Sequence, residues 1–256
     1  MFNSTRQNQI LEILQDQGEC SIDFLAEKFG TSGMTVRRDL QALADHGRVI
    51  RTHGGARLAS GINFEFAFLQ RTKQAQKEKR AIGRLAADLI QEGQSVILDS
   101  GTTTLAIAEH LKLRRNLKVI TTSLPIASML QFNESIEINL LGGQLRAGTP
   151  DLSGAITLAN LEMLHTDLAF VGADAIDASG AAYTDSADLV VMLSKMVQTA
   201  STAYVVADSS KLNRTALWKL FPLKKMAGLI TDHKARPSFV ARLTKSGIRV
   251  QRAAPA

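Results

Sequence analysis

The sequence predicts an α/β chain with a small, mainly helical N-terminal domain and a larger domain built on a helix-covered parallel sheet. Residues 1–57 show helical spacing of apolar residues in three successive segments, followed by two short extended segments. From residue 73 onward, short apolar runs alternate with helical segments. The 256 residues suffice for one small and one medium domain. We expect residues 58–72, which lack clear periodicity, to be a linker, and residues 73–256 to form the larger domain.

Three helices are predicted in the first 45 residues. The first covers residues 6–17, where the glycine at position 18 ends it. The second covers residues 22–29 and is followed by a Gly-Thr turn. Ser32 is a favourable N-cap for the third helix, which is expected to run to about residue 45 with Val36, Leu40 and Leu43 on its buried face.

A cationic hairpin is predicted directly after the third helix, because residues 48–56 suggest a strand, a glycine turn and a second strand. A helix with one free face beside such a hairpin is typical of a winged helix-turn-helix DNA-binding domain. The free face offers cations for phosphate or guanine and an amide for adenine. The alternative is that Arg37 and Arg38 form a solvated charged face paired with Asp39. The candidate DNA-binding residues are Ser32, Met34, Thr35, Arg37, Arg38, Gln41, Arg51 and His53.

The net charge of +6 permits binding to nucleic acid but does not establish it. Acidic residues offset many of the cations in the first 57 residues, so one copy is expected to bind DNA modestly and in a salt-dependent way. Repeated half-sites would strengthen binding if the chain is a homo-oligomer. We therefore expect a dimer or a tetramer on double-stranded operator DNA.

The larger domain is predicted to begin with a helix over residues 73–91, whose basic residues Lys77, Lys79, Arg80 and Arg84 suggest a solvated face or, less readily, a DNA contact. Seven apolar segments that follow are candidate strands. Helical segments lie between most of them, which argues for a mainly parallel sheet. The candidate strands are residues 95–98, 117–120, 136–140, 168–171, 203–206, 228–230 and 248–250.

Small polar and charged residues follow several of these strands. The carboxyl ends of parallel strands meet in one crevice, where ligands bind. Backbone N–H groups and hydroxyls there suit a phosphate, cations add charge, and aspartates suit sugar hydroxyls. The alternative is a set of well-capped loops with no ligand. The candidate effector-binding residues are Asp99, Ser100, Gly101, Thr102, Thr103, Thr104, Thr122, Ser123, Gly142, Gly143, Arg146, Asp174 and Lys211.

Several motifs resemble those of the DeoR family of sugar-operon repressors, and the repressors of galactosamine and sorbitol operons look nearest. In the first domain the resemblance rests on the segments 31–40 and 51–56. In the second it rests on the segments 99–104, 141–143, 172–177 and 208–211. The resemblance implies a repressor that responds to a phosphorylated sugar, with an effector domain similar in fold to ribose-5-phosphate isomerase. One departure is Leu189, where the family usually has a glutamate; another is Ser194-Lys195, where it commonly has two basic residues.

Other classes of protein are disfavoured by the composition. The single cysteine, Cys20, excludes an internal disulfide, and the sequence shows no Cys/His cluster, so neither a metal nor another cofactor is expected. No apolar run suggests a signal peptide or a membrane span, which predicts a cytoplasmic protein. Two alternatives stay open: an active sugar-phosphate isomerase with an added DNA-binding module, and an activator or dual regulator.

Overall fold

The computed structural model describes residues 4–45, 48–58, 68, 71–146 and 149–255. The chain forms two compact units, Met1–Leu69 and Gln70–Ala256. Most of the predicted linker, residues 58–72, lies outside the described residues, so its boundaries stay a prediction. None of the described helices is both long and apolar enough to cross a membrane.

The first unit contains the three predicted helices and the predicted hairpin. One further strand, which was not predicted, adds to the hairpin and gives an antiparallel sheet in the order β1-β3-β2. This strand has only three residues, too few to show an alternating pattern of its own. The elements are α1 (Ser4–Gln17), β1 (Glu19–Ser21), α2 (Ile22–Lys28), α3 (Gly33–Asp45), β2 (Val49–Thr52) and β3 (Gly55–Leu58).

The core of the first unit is formed by apolar side chains from all three helices. Leu14 of α1, Leu25 of α2 and Leu40 of α3 are fully buried. The strand β1 lies so close to β3 that a Cβ atom at Gly55 would be 2.2 Å from the Cys20 carbonyl oxygen. Glycine is therefore required at position 55 for this strand to join the sheet.

The second unit is a seven-stranded parallel sheet with helices on both faces, as predicted. Its strands are β4 (Ser95–Leu98), β5 (Leu117–Thr121), β6 (Ile136–Leu140), β9 (Thr166–Gly172), β12 (Ala200–Val206), β14 (Gly228–Asp232) and β15 (Val250–Ala253). Its helices are α4 (Gln76–Ala87), α5 (Thr102–Leu111), α6 (Leu124–Leu130), α7 (Ala155–Glu162), α8 (Ala187–Thr199) and α9 (Pro237–Lys245). The predicted helix over residues 73–91 is thus shorter at both ends, and the last predicted strand lies slightly later in the chain.

Short strands form two further small sheets that the sequence did not predict. One is a hairpin of two strands, and the other has the order β10-β11-β13. Both depend on tertiary contacts, because two- to five-residue strands carry little hydrophobic pattern. The strands are β7 (Gln144–Leu145), β8 (Leu152–Ser153), β10 (Ala175–Ile176), β11 (Ala181–Thr184) and β13 (Trp218–Pro222).

Alternate side chains of the central strands enter two separate cores. Leu98 and Phe170 pack on the face covered by α4, α5 and α6, whereas Ile97 and Val171 pack on the face covered by α8 and α9. On the first face α4 and α5 approach backbone to backbone, because a Cβ atom at Gly83 would lie 2.4 Å from the Ala106 carbonyl oxygen. Both faces of the central strands are therefore buried, which explains the continuous apolar character of those strands.

The strand order, β15-β14-β12-β9-β4-β5-β6, reverses its direction of growth between β4 and β9. The strands β4, β5 and β6 proceed to one edge of the sheet, and the later strands proceed to the other. Loops diverge at such a reversal and open a crevice at the carboxyl ends of the strands. The crevice is therefore expected beside residues that follow Leu98 and Gly172.

Candidate nucleic-acid interface and effector site

The N-terminus of α3 is capped by the predicted residue. The Thr35 N–H group donates to the Ser32 Oγ atom at 3.2 Å, and the two hydroxyl oxygens lie 3.0 Å apart. This cap satisfies one of the helix N–H groups that lack a carbonyl partner. Ser32 is exposed and Thr35 is partly exposed, so both predicted residues lie at the surface.

The outer face of α3 carries four of the predicted DNA-binding residues. Met34 is 58% exposed, and Arg37, Arg38 and Gln41 are also exposed. No carboxylate in the described part of the chain forms an ion pair with Arg37 or Arg38. Both guanidinium groups are therefore available to an external anion.

Asp39 faces the opposite direction and lies in the interior of the unit. Its Oδ2 atom accepts from Arg6 Nε at 2.6 Å, and its Oδ1 atom accepts from Gln7 Nε2 at 3.2 Å. The hydrogen bond to Asp39 raises the pKa of Arg6. The alternative that Asp39 pairs with Arg37 and Arg38 is therefore wrong, and the carboxylate instead fixes α3 to α1.

The hairpin is joined to α3 by a side-chain hydrogen bond. Arg51 on β2 donates from Nη1 to the Gln41 Oε1 atom at 2.7 Å, and Gln41 Nε2 donates to Asp45 at 2.7 Å. His53 is exposed in the turn that follows β2. Gln41 therefore links the wing to α3.

In the second unit, the predicted effector residues follow five strands that are neighbours in the sheet. Lys211, Asp174, Asp99, Thr122 and Gly142 come after β12, β9, β4, β5 and β6 respectively, which is also the order of these strands in the sheet. The structure therefore brings the predicted residues to one edge, on either side of the reversal between β4 and β9.

Asp99 lies at that reversal and is buried. Its Oδ2 atom accepts the Gly172 N–H group at 3.0 Å, and its Oδ1 atom accepts the Ser100 N–H group at 2.6 Å. Burial raises the pKa of this carboxyl group, and its effect is larger than that of the two hydrogen bonds, which lower the pKa. Asp99 thus joins the ends of β4 and β9.

An ion pair that the sequence did not predict lies beside this carboxylate. Arg146 donates from Nε and Nη2 to the two carboxylate oxygens of Asp151 at 3.1 and 3.0 Å. The Ser100 hydroxyl donates to Asp151 Oδ2 at 2.6 Å. Asp151 is fully buried and Arg146 retains 14% side-chain exposure. Only Ala-Gly-Thr-Pro separates Arg146 from Asp151 in the sequence, which is too weak a signal to indicate their pairing.

The three consecutive threonines have different roles. The Thr104 Oγ1 atom lies 2.5 and 2.7 Å from the carbonyl oxygens of Asp99 and Gly101, so its proton is used inside the loop. The N–H groups of Thr102 and Thr103 have no acceptor among the described residues. Since they lie in the first turn of α5, they are donors suited to an anion.

Thr122 and Ser123 follow β5 and are both buried. Ser123 caps α6, because its hydroxyl accepts the Ile126 N–H group at 3.4 Å. The Thr122 hydroxyl has no hydrogen-bond partner within the described ranges. A buried hydroxyl without a partner is costly, which favours an additional group near this residue.

The glycine pair after β6 is held by α7. Gly142 donates its N–H group to Asn160 at 3.1 Å, and its carbonyl oxygen accepts from Thr157 at 2.7 Å. A Cβ atom at Gly143 would lie 2.2 Å from Thr157 Oγ1 and 2.6 Å from the Ser153 carbonyl oxygen. The backbone groups of Gly142 are thus used within the protein, and the pair shapes the loop.

Asp174 and Lys211 lie on the other side of Asp99. Asp174 Oδ2 accepts the Thr184 hydroxyl at 2.9 Å and the Asp185 N–H group at 3.1 Å. Lys211 is partly exposed and forms no ion pair with the residues described. It is therefore a second cation available at this edge.

The two departures from the family pattern lie on α8. Leu189 packs against the core on the α8 face, where a glutamate would place a charge. Lys195 contacts Glu162 of α7 at 3.4 Å. Leu189 therefore has a packing role, and Lys195 pairs with a carboxylate of the neighbouring helix.

One basic residue of α4 differs from its expected environment. The sequence suggested that Lys79 belongs to a solvated helix face, but it is only 6% exposed. Its ammonium group contacts the carbonyl oxygens of Arg71 and Gln74. Burial lowers the pKa of Lys79 to about 8, and nearby Asp208 and Lys211 act on it in opposite directions.

Two known domain families match the chain. The DeoR-like helix-turn-helix domain matches residues 6–61, and the DeoR C-terminal sensor domain matches residues 74–233. The transcriptional repressor GlcR of Bacillus subtilis is 34% identical over 250 residues, covering 98% of this chain and 96% of the relative. The glycerol-3-phosphate regulon repressor of Escherichia coli is 30% identical over 252 residues, covering 98% and 99%.

Among solved structures, ribose 5-phosphate isomerase A from Methanocaldococcus jannaschii aligns with a TM-score of 0.41 at 19% identity, covering 54% of this chain and 55% of that one. A similarity of that size carries no information about function. The two domain matches and the full-length relatives do carry a conclusion, since they extend over nearly the whole chain. This chain belongs to the DeoR family of transcriptional regulators.

Proposed function

We propose that this chain represses a sugar-utilisation operon by binding operator DNA through its first unit, and that a phosphorylated sugar bound by its second unit changes that affinity. The names of the full-length relatives, which are repressors, support a regulator over an enzyme. The proposal includes a homo-oligomer, dimer or tetramer, because one small cationic face binds DNA only modestly.

The observation that carries the DNA half is the outer face of α3. Arg37 and Arg38 are exposed there without acidic partners among the described residues, and Gln41 connects this face to Arg51 on the wing. A recognition helix in the major groove needs free cations in its first turns, which Arg37 and Arg38 supply. We infer that the wing adds a further cation for the neighbouring DNA backbone.

Arg38→Ala tests this half in an operator titration at several salt concentrations. The matched control is Lys28→Ala, which removes one exposed cation on α2 of the same unit. Arg38→Ala should weaken binding by about 1–3 kcal/mol if it contacts a base, or lower the salt slope by about 0.9 if it contacts a phosphate. Equal binding by both variants would contradict the assignment to the groove.

The effector half rests on the donors around Asp99. The first turn of α5 offers the N–H groups of Thr102 and Thr103, and Lys211 offers a positive charge, whereas Arg146 lies nearby in its ion pair with Asp151. A phosphate at a helix N-terminus with flanking cations is a common arrangement. The carboxylate of Asp174 keeps one oxygen free for a sugar hydroxyl.

Lys211→Ala tests this half, with Lys224→Ala as the control because Lys224 is exposed on the same unit. A thermal-shift screen against phosphorylated sugars and amino sugars first identifies a ligand. Lys211→Ala should then bind operator like the wild type and lose at least tenfold in ligand affinity, so that repression persists with sugar present. Ligand affinity equal to that of Lys224→Ala would remove Lys211 from the site.

The alternative of an isomerase predicts a different result from the same screen. Turnover of ribose 5-phosphate or a hexose phosphate by the purified chain would overturn the regulatory proposal, whereas binding without turnover supports it. Reporter expression in a deletion strain separates a repressor from an activator, and sedimentation gives the oligomeric state.

A further inference from the structure

The chain is sharply bent just before α4. Residues 71–73 are helical, residues 74–75 form a turn, and α4 begins at Gln76. Ala75 lies between them with φ 50° and ψ 37°, in the left-handed region. An alanine is disfavoured there because its Cβ atom crowds the backbone, so a glycine is the usual residue at such a bend.

The amino acids at this bend favour a straight helix. The segment 71–75 is Arg-Thr-Lys-Gln-Ala, which contains no glycine or proline and four good helix formers. The helix predicted over residues 73–91 therefore ran through this position without a break. The bend also leaves the N–H groups of Gln76 and Lys77 without an acceptor in the described part of the chain. Local preference and observed structure therefore disagree at Ala75.

Lys79 supplies the contacts that hold the bend. Its ammonium group reaches back to the carbonyl oxygens of Arg71 and Gln74, the latter at 2.8 Å. In a continuous helix these two carbonyls would instead accept from the N–H groups of Ala75 and Glu78. A buried cation thus replaces two backbone hydrogen bonds of a continuous helix.

We propose that the Ala75 joint is a two-state hinge: Lys79 holds it bent, and loss of the Lys79 contacts lets α4 extend back to residue 71 as one continuous helix. Residues 71–75 lie at the start of the second unit, so straightening the joint changes the direction of the chain at the N-terminal end of α4. The regulatory role of the hinge rests on the function proposed above, but its structure does not.

The surroundings of Lys79 connect the hinge to the effector edge. Asp208 and Lys211, in the turn after β12, are near enough to shift the pKa of Lys79. We infer that an anion bound at Lys211 would change the electrostatic potential at the Lys79 ammonium group and so bias the hinge.

Amide hydrogen exchange of Gln76 and Lys77 in the full chain tests the hinge. In Lys79→Met, which keeps the apolar stem, both amides should exchange at least tenfold more slowly because they gain carbonyl acceptors at residues 72 and 73. Adding Ala75→Gly to that variant should restore the wild-type rate, since glycine removes the penalty of the bend and weakens the helix. The control is Lys245→Met, an exposed lysine at the end of α9.

Faster or unchanged exchange in Lys79→Met, or slow exchange that persists in the double variant, would overturn the hinge. If Lys79→Met does not fold, the single variant Ala75→Gly tests the hinge instead. A bent joint predicts that this variant has a higher unfolding midpoint than the wild type, whereas a straight joint predicts a lower one.

Operator binding tests the regulatory role of the hinge. Lys79→Met should differ several-fold from Lys245→Met, and equal affinities would overturn the regulatory role. If no variant and not even the wild type binds operator, the proposed function fails while the exchange result stands.

Discussion

Removal of the Asp151 carboxylate is expected to leave Arg146 as a largely buried cation without its partner. The guanidinium is fixed by two hydrogen bonds of 3.0 and 3.1 Å and keeps only 14% side-chain exposure. Breaking a buried ion pair on one side costs roughly 3–5 kcal/mol. Because Arg146 retains some contact with water and the Ser100 hydroxyl also loses an acceptor, we expect about 3 kcal/mol for Asp151→Ala.

Urea unfolding followed by tryptophan fluorescence measures this cost. Trp218 is the only tryptophan in the sequence and belongs to the second unit, so its signal reports the unit that carries the mutation. With an m-value of about 2 kcal/mol/M, the midpoint should fall by about 1.5 M. Replacing Arg146 by Met as well should recover most of the loss, because an apolar pair needs no hydrogen bonds.

A double-mutant cycle decides whether the two residues act as a pair. Asp151→Ala, Arg146→Ala and the double variant should show an interaction free energy of about 2 kcal/mol. The two residues do not act as a pair if the losses of unfolding free energy in the two single variants simply add. The same holds if Asp151→Ala lowers the unfolding free energy by less than about 1 kcal/mol at unchanged m-value. Either result would mean that water already satisfies Arg146.

Three further outcomes follow from residues described above. Asp39→Ala removes the ion pair between α3 and α1 and should cost about 2 kcal/mol in unfolding free energy, together with weaker operator binding; tight binding would show that α3 holds its place without the pair. Gly143→Ala should lower stability by about 1–3 kcal/mol, because the new methyl group meets the Ser153 carbonyl oxygen; an unchanged midpoint in urea would mean that the loop shifts freely. The lysine at position 79 makes stability depend on pH. Its pKa is about 8 in the folded state and about 10.5 in the unfolded chain, so the unfolded state binds more protons in that interval and the unfolding free energy should rise with pH there. Lys79→Met should lack this rise, and identical pH profiles would contradict the burial of the ammonium group.

Much of the fold could be predicted because regular patterns specify it. The apolar spacing of the first 45 residues predicted three helices, and the short apolar runs of the larger domain predicted the parallel sheet. The strand Glu19–Ser21 was missed because its pairing depends on Gly55, which lies more than thirty residues later. The start of α4 was also missed, since the bend at Ala75 depends on contacts from Lys79 rather than on local preference.

The sequence predicted which residues belong to the candidate sites, but not the hydrogen bonds and ion pairs that connect them. Strand ends in a parallel sheet converge whatever their side chains, so topology alone brought Asp99, Asp174 and Lys211 to one edge. The sequence could not show that Asp151 accepts from Arg146, because both residues lie on a hairpin with no pattern. Similarly, the sequence suggested that Asp39 could pair with Arg37 and Arg38, whereas in the structure Asp39 is buried and pairs with α1.

The approach of α4 to α5 at Gly83 has a consequence for any signal that starts at the joint. With no side chain between the two backbones at this point, sliding of one helix along the other would bring the backbones into collision. We therefore expect a tilt at the start of α4 to be carried into α5, whose first turn holds the N–H groups of Thr102 and Thr103, which have no acceptor among the described residues. Gly83→Ala would force α4 and α5 apart. We expect it to uncouple the Ala75 joint from the first turn of α5, while the joint and the turn each remain formed.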